Sequence, residues 1–310
     1  MTPAAQATNL NYWRTLVPWL SIGEKSKANQ ILSTIPNDSL SEVESSLLSS
    51  GYFTLPNMFD PKLCDDIARA IACIKSHGWH EVWIFMFDEA WGLLRNTKIF
   101  DLVARVLGPD FRQLPDFWAL HVEKSERGFM PHADASTIAP VNVDGRPNAI
   151  TVWIPLCDVS VDESCIYLLP ADLRSEQDYP FGNGFLSHRQ LVTEIIHRVR
   201  AVPLSTGGIA GWNHGIFHWG SQASHRAKGP RVSISTEFIR GDIQYDDHEH
   251  VRHARKHIKE EHVLRDFCQK EAFPAVENRV ILIAKQIIGY TAHARVVNGA
   301  SDMANQILKV

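Results

Sequence analysis

The chain lacks any run of Lys and Arg long enough to follow a phosphate backbone, and its formal net charge is −4. A nucleic-acid partner is therefore not expected. No window approaches about 18 consecutive uncharged apolar residues, the length a membrane helix needs, so no membrane partner is expected either. The N-terminal stretch MTPAAQATNLNYWRTLVPWLSIGEK has no basic segment ahead of an apolar run, as a secretory leader would. Cysteine is scarce: Cys64, Cys73, Cys157, Cys165 and Cys268 make five, an odd number without C-x-x-C spacing. That disfavours a disulfide framework and a thiolate metal site, and points to a reducing, cytoplasmic location. No H-E-x-x-H zinc motif is present. Internal repeats, low-complexity tracts and Pro/Gly/Ser linkers are missing too, so residues 1–310 are expected to form a single domain.

What remains is ordinary globular material, 45% hydrophobic and 21% charged, with enough apolar surface for a full core. Residues 1–115 read as mainly helical. In DPKLCDDIARAIACIKSHG, Leu63, Ile67, Ile71 and Ile74 recur at helical spacing. Asp60 can cap the free amides, Pro61 suits the first helical position, and Gly78 suits the left-handed residue after the last turn. A second helix is predicted over Thr97 to Leu107, with Ile99, Leu102, Val103 and Val106 inward and Gly108-Pro109 as its stop. Trp83, Phe85 and Phe87 in EVWIFMFDEAW read as packing.

From about Asp116 the apolar period falls to that of a strand. Strands are predicted at Phe117–Glu123, Ala149–Leu156, Cys165–Leu169, Gly208–Trp219 and Arg231–Ile239, so residues 116–242 should form a β core. A partly helical excursion is expected at 175–200. Residues 243–310 return to helix, with His248–Cys268 charged and amphipathic and Val280–Ile288 apolar enough to pack on the sheet. The expected class is mainly β with flanking helices, and the amphipathic C-terminal helices would suit a homodimer.

Chemistry concentrates in two places. In GFMPHADASTIAP, His132 and Asp134 stand two apart on an extended segment, so both side chains leave the same face. Taken alone, H-x-D in a chain with 15 histidines is a weak signal. A 2-His-1-carboxylate iron site needs one further His from a distant strand and leaves positions open for co-substrate and oxygen. The second place, GWNHGIFHWGSQASHRAKGPRVSISTEF, offers His214 and His218 on one predicted strand. Alternation then places Arg231, Ser233 and Ser235 on one face of the next. A buried arginine there could take a dicarboxylate such as 2-oxoglutarate bidentately.

In this order, the sequence resembles the phytanoyl-CoA dioxygenase family of Fe(II)/2-oxoglutarate oxygenases. The likeness runs from about Gly51 to Asp242 and is carried by GYFTLPNMFDPKLCD, PHAD, TVWIPLCDVSVDESCIYLLPADLR and HWGSQASHRAKGPRVSISTEF. It implies a double-stranded β-helix, a jelly-roll core whose mouth holds the iron between helical buttresses. It further implies His132, Asp134 and His218 as iron ligands, Arg231 as the anchor for the far carboxylate of 2-oxoglutarate, and Ser233 as its assistant. His121, on the strand leading to the motif, is a candidate for the co-substrate or substrate pocket. His214 reads either as a substrate-pocket or supporting residue or as a hydrogen-bonded histidine inside the barrel. For Trp153, either alternating set of TVWIPL could line the pocket.

One departure stands out: the family places Gly and Ser after the distal histidine, whereas here Trp219 precedes Gly220-Ser221. The cofactors implied are Fe(II), 2-oxoglutarate as co-substrate and O2, acting on a small-molecule substrate with release of succinate and CO2. Related halogenases carry Gly or Ala at the carboxylate position, so Asp134 favours hydroxylation or another oxidation. Two alternatives use the same residues. A metal-dependent hydrolase would leave Arg231 without a role, and a catalytically silent jelly-roll binding protein would have no need of all four.

Overall fold

Local chemistry sets the helical layer. The Asp60 carboxylate accepts a hydrogen bond from the Lys62 amide at 2.9 Å and Pro61 takes the first position of the helix Pro61–Ser76, as expected. Its buried face is Cys64, Ile67, Ala70, Ile71 and Ile74, with Leu63 half-buried beside them. Asn96 caps the helix Thr97–Leu107, whose inward side chains include Ile99, Leu102, Val103 and Val106. Between them, the 3-10 helix Glu81–Met86 and the helix Asp88–Leu94 are almost entirely buried, so Trp83, Phe85 and Phe87 are core. Within this layer the wholly buried Arg279 and Asp88 pair at 2.7 Å.

The structure is a computed structural model that describes residues 2–23, 36–134, 139–173, 196–244, 261–267 and 273–294. The excursion expected at 175–200 lies outside these residues up to position 195, and so does the helix expected at His248–Cys268 apart from Glu261–Phe267. The helix expected at Val280–Ile288 is observed and longer, Val276–Ala294. No helix among the described residues is long and apolar enough to cross a membrane.

Among the described residues, eight strands form two antiparallel sheets: β1 (Tyr52–Leu55), β2 (Arg112–Val122), β3 (Ala149–Pro155), β4 (Ile166–Leu169), β5 (Arg200–Val202), β6 (Ile209–Asn213), β7 (Phe217–Gly220) and β8 (Arg231–Ile239). One sheet runs β1-β6-β3-β8-β2 and the other β5-β4-β7. On the first, Val232, Ile234 and Phe238 of β8 face the helices and share one continuous core with them. Its other face meets the second sheet, where Trp153, Ala210 and Trp212 pack with Ile166, Leu168 and Val202.

Three differences from the sequence reading follow from pairing that local pattern does not carry. β1 lies inside the part read as helical and exists because it pairs with β6, Tyr52 opposite Trp212. β2 begins earlier than expected and runs across Pro115, which has no N–H to give; its register against β8 shifts between Gln113 and Phe117. The single strand expected over Gly208–Trp219 is two strands, β6 and β7. A turn at Asn213–Ile216 carries the chain from one sheet to the other, with the Ile216 amide donating to the Asn213 carbonyl.

Candidate metal centre

His132 reaches the second sheet by an isolated bridge to His218 of β7: each residue's amide donates to the other's carbonyl, at 2.9 and 2.8 Å. Their rings lie 4.3 Å apart between centroids. The two imidazoles are set alike. Nδ1 of His132 meets the Met130 carbonyl at 2.8 Å, and Nδ1 of His218 meets the Ile216 carbonyl at 3.0 Å. A carbonyl oxygen only accepts, so Nδ1 carries a proton in both rings, and in the neutral form of either ring Nε2 is the atom with the lone pair. Those Nε2 atoms face Oδ1 of Asp134 at 3.3 and 3.7 Å.

The other carboxylate oxygen is already engaged. Oδ2 of Asp134 accepts from Thr151 Oγ1 at 2.6 Å and from Trp212 Nε1 at 2.9 Å. Burial opposes charge on Asp134, but His218 and His132 outweigh it and hold the carboxyl well below its usual range. Burial pushes His218 down to about 4, so its imidazole is neutral at neutral pH. Two imidazole nitrogens and one carboxylate oxygen converge, which is the donor set of a facial metal triad.

A second group, Asp134, His214 and Glu237, also lies close together. It is not an equivalent site. Oδ2 of Asp134 carries two hydrogen bonds and Oδ1 faces His132 and His218, so neither oxygen is turned toward this second group alone. His214 Nε2 lies 3.6 Å from Glu237 Oε2, both side chains buried, as a polar layer behind the triad. His214 sits in the turn after β6, so it does not share a strand face with His218 as the sequence suggested.

Arg231 opens β8 and is 0% exposed. Nη1 donates to the Ser164 carbonyl at 2.9 Å, while among the described residues Nε and Nη2 have no hydrogen-bond partner. Burial lowers the guanidinium to about 10, so it stays cationic at neutral pH. A wholly buried cation with its side-on N–H pair unused calls for an anion, and a carboxylate fits that fork bidentately. The bare Cα of Gly220, two positions past His218, makes room: a Cβ there would lie 2.9 Å from Arg231 Nη1. Trp219 points the other way and stacks on Tyr167, so the inserted tryptophan does not enter the site.

Strand register settles the remaining candidates. Ser233, 1% exposed, shares the face of Arg231 and lies opposite Leu120 and Pro155. Trp153 is opposite Ser235 on the same wall, and its buried Nε1 has no hydrogen-bond partner among the described residues. Ser221 Oγ, next to Gly220, is in the same condition. His121 lines a cavity beside β2 rather than the wall that carries Arg231. It pairs with Val232, on the helix-facing side of the sheet, so it points away from Arg231, and its Nδ1 meets Lys75 Nζ at 3.5 Å. Thr151, Trp212 and Glu237 were not singled out in the sequence. Alternation along TVWIPL grouped Thr151 with Trp153 without saying which set faces inward, and the partner of Thr151 was not visible there.

A cavity of about 410 Å³ opens beside the centre, between the end of helix Pro61–Ser76, β2 and the segment leading to His132. It includes none of the three metal-facing residues. Phe129, one of its walls, connects the two, with its ring 4.6 Å from that of His132.

No protein-family model matches the chain, and no curated protein matches it. Solved structures do. The chain is similar to the non-heme alpha ketoglutarate dependent epimerase SnoN from nogalamycin biosynthesis at 18% identity and TM-score 0.50, covering 69% of this chain and 91% of that one. It is also similar to the carbocyclase SnoK of the same biosynthesis at 17% identity and TM-score 0.51, covering 67% and 88%. SnoN has further been solved with Fe3+, alpha ketoglutarate and nogalamycin RO, with 17% identity, TM-score 0.48 and coverage of 66% and 85%. At these identities the likeness is one of fold: helices around antiparallel sheets.

Proposed function

We propose that this protein is an Fe(II)/2-oxoglutarate-dependent oxygenase on a double-stranded β-helix, formed as one domain and oxidising a small molecule with release of succinate and CO2. One observation carries the reading. The set His132, Asp134 and His218 stands near a wholly buried guanidinium whose side-on N–H pair is unused, Gly220, two positions past His218, lying against it. A hydrolytic metal site has no need of that cation, and a binding module has no need of the triad.

Each residue then has a task. His132 and His218 would hold the ion through Nε2 and Asp134 through Oδ1, a three-donor set that leaves room for co-substrate and oxygen. Arg231 would hold the distal carboxylate of 2-oxoglutarate, with Ser233 on the same face and the bare Gly220 leaving the approach clear. Trp153 Nε1 and Ser221 Oγ are further donors to the same molecule. Bound iron would couple the O2-driven decarboxylation of 2-oxoglutarate to oxidation of a substrate carbon, with succinate and CO2 as co-products. The cavity walled by Phe129 is the adjoining space for a small polar substrate. SnoN is described as an epimerase and SnoK as a carbocyclase, so outcomes beyond hydroxylation suit this fold. Asp134, present where halogenases have Gly or Ala, argues against halogenation.

Anaerobic addition of Fe(II) and 2-oxoglutarate should give a weak visible charge-transfer band that disappears in His218→Ala. Absence of the band from the intact protein would overturn the proposal. A screen for substrate-stimulated succinate formation then identifies what is oxidised.

A further inference from the structure

The carboxylate of Asp134 is held from behind by a matched pair of donors. Thr151 and Trp212 are direct register partners across β3 and β6. Both give their hydrogen to the same atom, Oδ2, at 2.6 and 2.9 Å. A carboxylate oxygen has two lone-pair sites, so Oδ2 is filled. The remaining oxygen, Oδ1, is the one that faces both histidines. Trp212 also lays its ring against that of His218, with centroids 4.4 Å apart, so one side chain orients two ligands. Thr151 has Glu237 opposite it on the other side, in β8, so the pair stands on β3 and β6, two of the sheet's three inner strands.

We infer that Thr151 and Trp212 are positioning residues that confine Asp134 to single-oxygen ligation and thereby keep one more metal position open. The inference rests on the triad being a metal centre. Its consequence concerns stoichiometry at the ion. With Asp134 bound through Oδ1 alone, an octahedral ion keeps about three exchangeable positions. Freed from its two donors, the carboxylate can turn and bind through both oxygens, and one of those positions is lost. Two atoms of 2-oxoglutarate would then leave no place for oxygen.

The test counts metal-bound water and needs no substrate. Mn(II) is added to the apoprotein, and the coordinated waters are counted from the broadening of the Mn(II) resonance by ¹⁷O-water. The wild type is expected to hold about three. Thr151→Val, which keeps the shape and removes the donor, should hold one fewer. It should also bind the ion about 10- to 100-fold more weakly, as loss of a hydrogen bond to a ligand commonly does. Thr151→Ser should restore the count, a rescue that a merely structural role for the residue does not predict. Trp212→Phe gives the same reading from the other donor should the Thr151 variants fail to fold. An unchanged water count in Thr151→Val or Trp212→Phe overturns the inference while leaving the metal reading intact. A wild type that binds no Mn(II) removes the metal reading itself, and the inference with it.

Discussion

His132 and His218 exchange both of their backbone hydrogen bonds, so the two imidazoles are neighbours through the main chain before any ion is considered. Each ring is then aimed by a carbonyl two residues upstream of itself, Met130 for one and Ile216 for the other. This bridge makes the ligands separable from the fold, because removing an imidazole leaves the main-chain pairing in place.

The first expectation concerns metal and stability. A divalent ion supplied at about 100 times its Kd should add about 2.7 kcal/mol to the unfolding free energy of the wild type. Urea unfolding with metal and with chelator measures the increment. In His132→Ala it should vanish, while the metal-free stabilities of the two proteins stay close.

Arg231→Lys should bind the metal as the wild type does and lose 2-oxoglutarate. A lysine cannot reproduce the side-on fork, and the forfeited charged hydrogen bonding is about 1.5–3 kcal/mol. The concentration of 2-oxoglutarate giving half the charge-transfer band should therefore rise on the order of 10- to 100-fold. An unchanged titration would exclude the role assigned to Arg231.

Gly128→Ala should be poorly tolerated. A Cβ at Gly128 would come within 2.6 Å of Gly220 Cα and 2.7 Å of its carbonyl carbon, backbone atoms that have no rotamer to escape into. Overpacking of this kind costs about 1–3 kcal/mol. A lowered Tm and a raised 2-oxoglutarate requirement should appear together, because Gly220 also borders Arg231.

Asp88→Ala should weaken the fold without touching the centre. Asp88 and Arg279 are 0% and 1% exposed and 2.7 Å apart, so the variant strands a buried guanidinium. Breaking such a pair costs about 3–5 kcal/mol. Chemical denaturation should show the loss, and metal affinity measured on the folded fraction should not change.

His121 predicts an acid limb in stability. Burial, and then the Lys75 ammonium, lower it from its ordinary value of 6.5, so the folded state prefers the neutral ring. Stability from this group is fully present above that value and is lost as pH falls below it, because the unfolded chain takes up the proton first. Glu123 and Glu81 oppose the shift without cancelling it. His121→Gln should flatten the fall in Tm below about pH 6.5; an unaltered slope would assign it to other groups.

How much of this was legible in the sequence follows from the range of each interaction. The caps and apolar stripes of the helices Pro61–Ser76 and Thr97–Leu107 are local, and both were placed correctly. Alternation along β8 put Arg231 and Ser233 on one face, and they share it. For His121, alternation gave two faces without saying which one meets β8's inward side; only its pairing with Val232 puts it on the face away from Arg231. The pairing of Thr151 with Trp212 was invisible for the same reason. His214 and His218 looked like one strand because the turn between them contains Gly215 but no proline, and nothing local reports a change of sheet.

That change of sheet bears on how the protein is made. The centre needs β6 in one sheet, β7 in the other, and a bridge from His132 to His218 across a long stretch of chain. Contacts so distant in sequence form only after much loop entropy has been spent, so they belong to the late part of folding. An ion cannot template this site on a nascent chain, since no short segment holds more than two of its ligands. On the proposed reading, loading would follow the assembly of both sheets, and metal present during refolding should leave the folding rate unchanged while slowing unfolding.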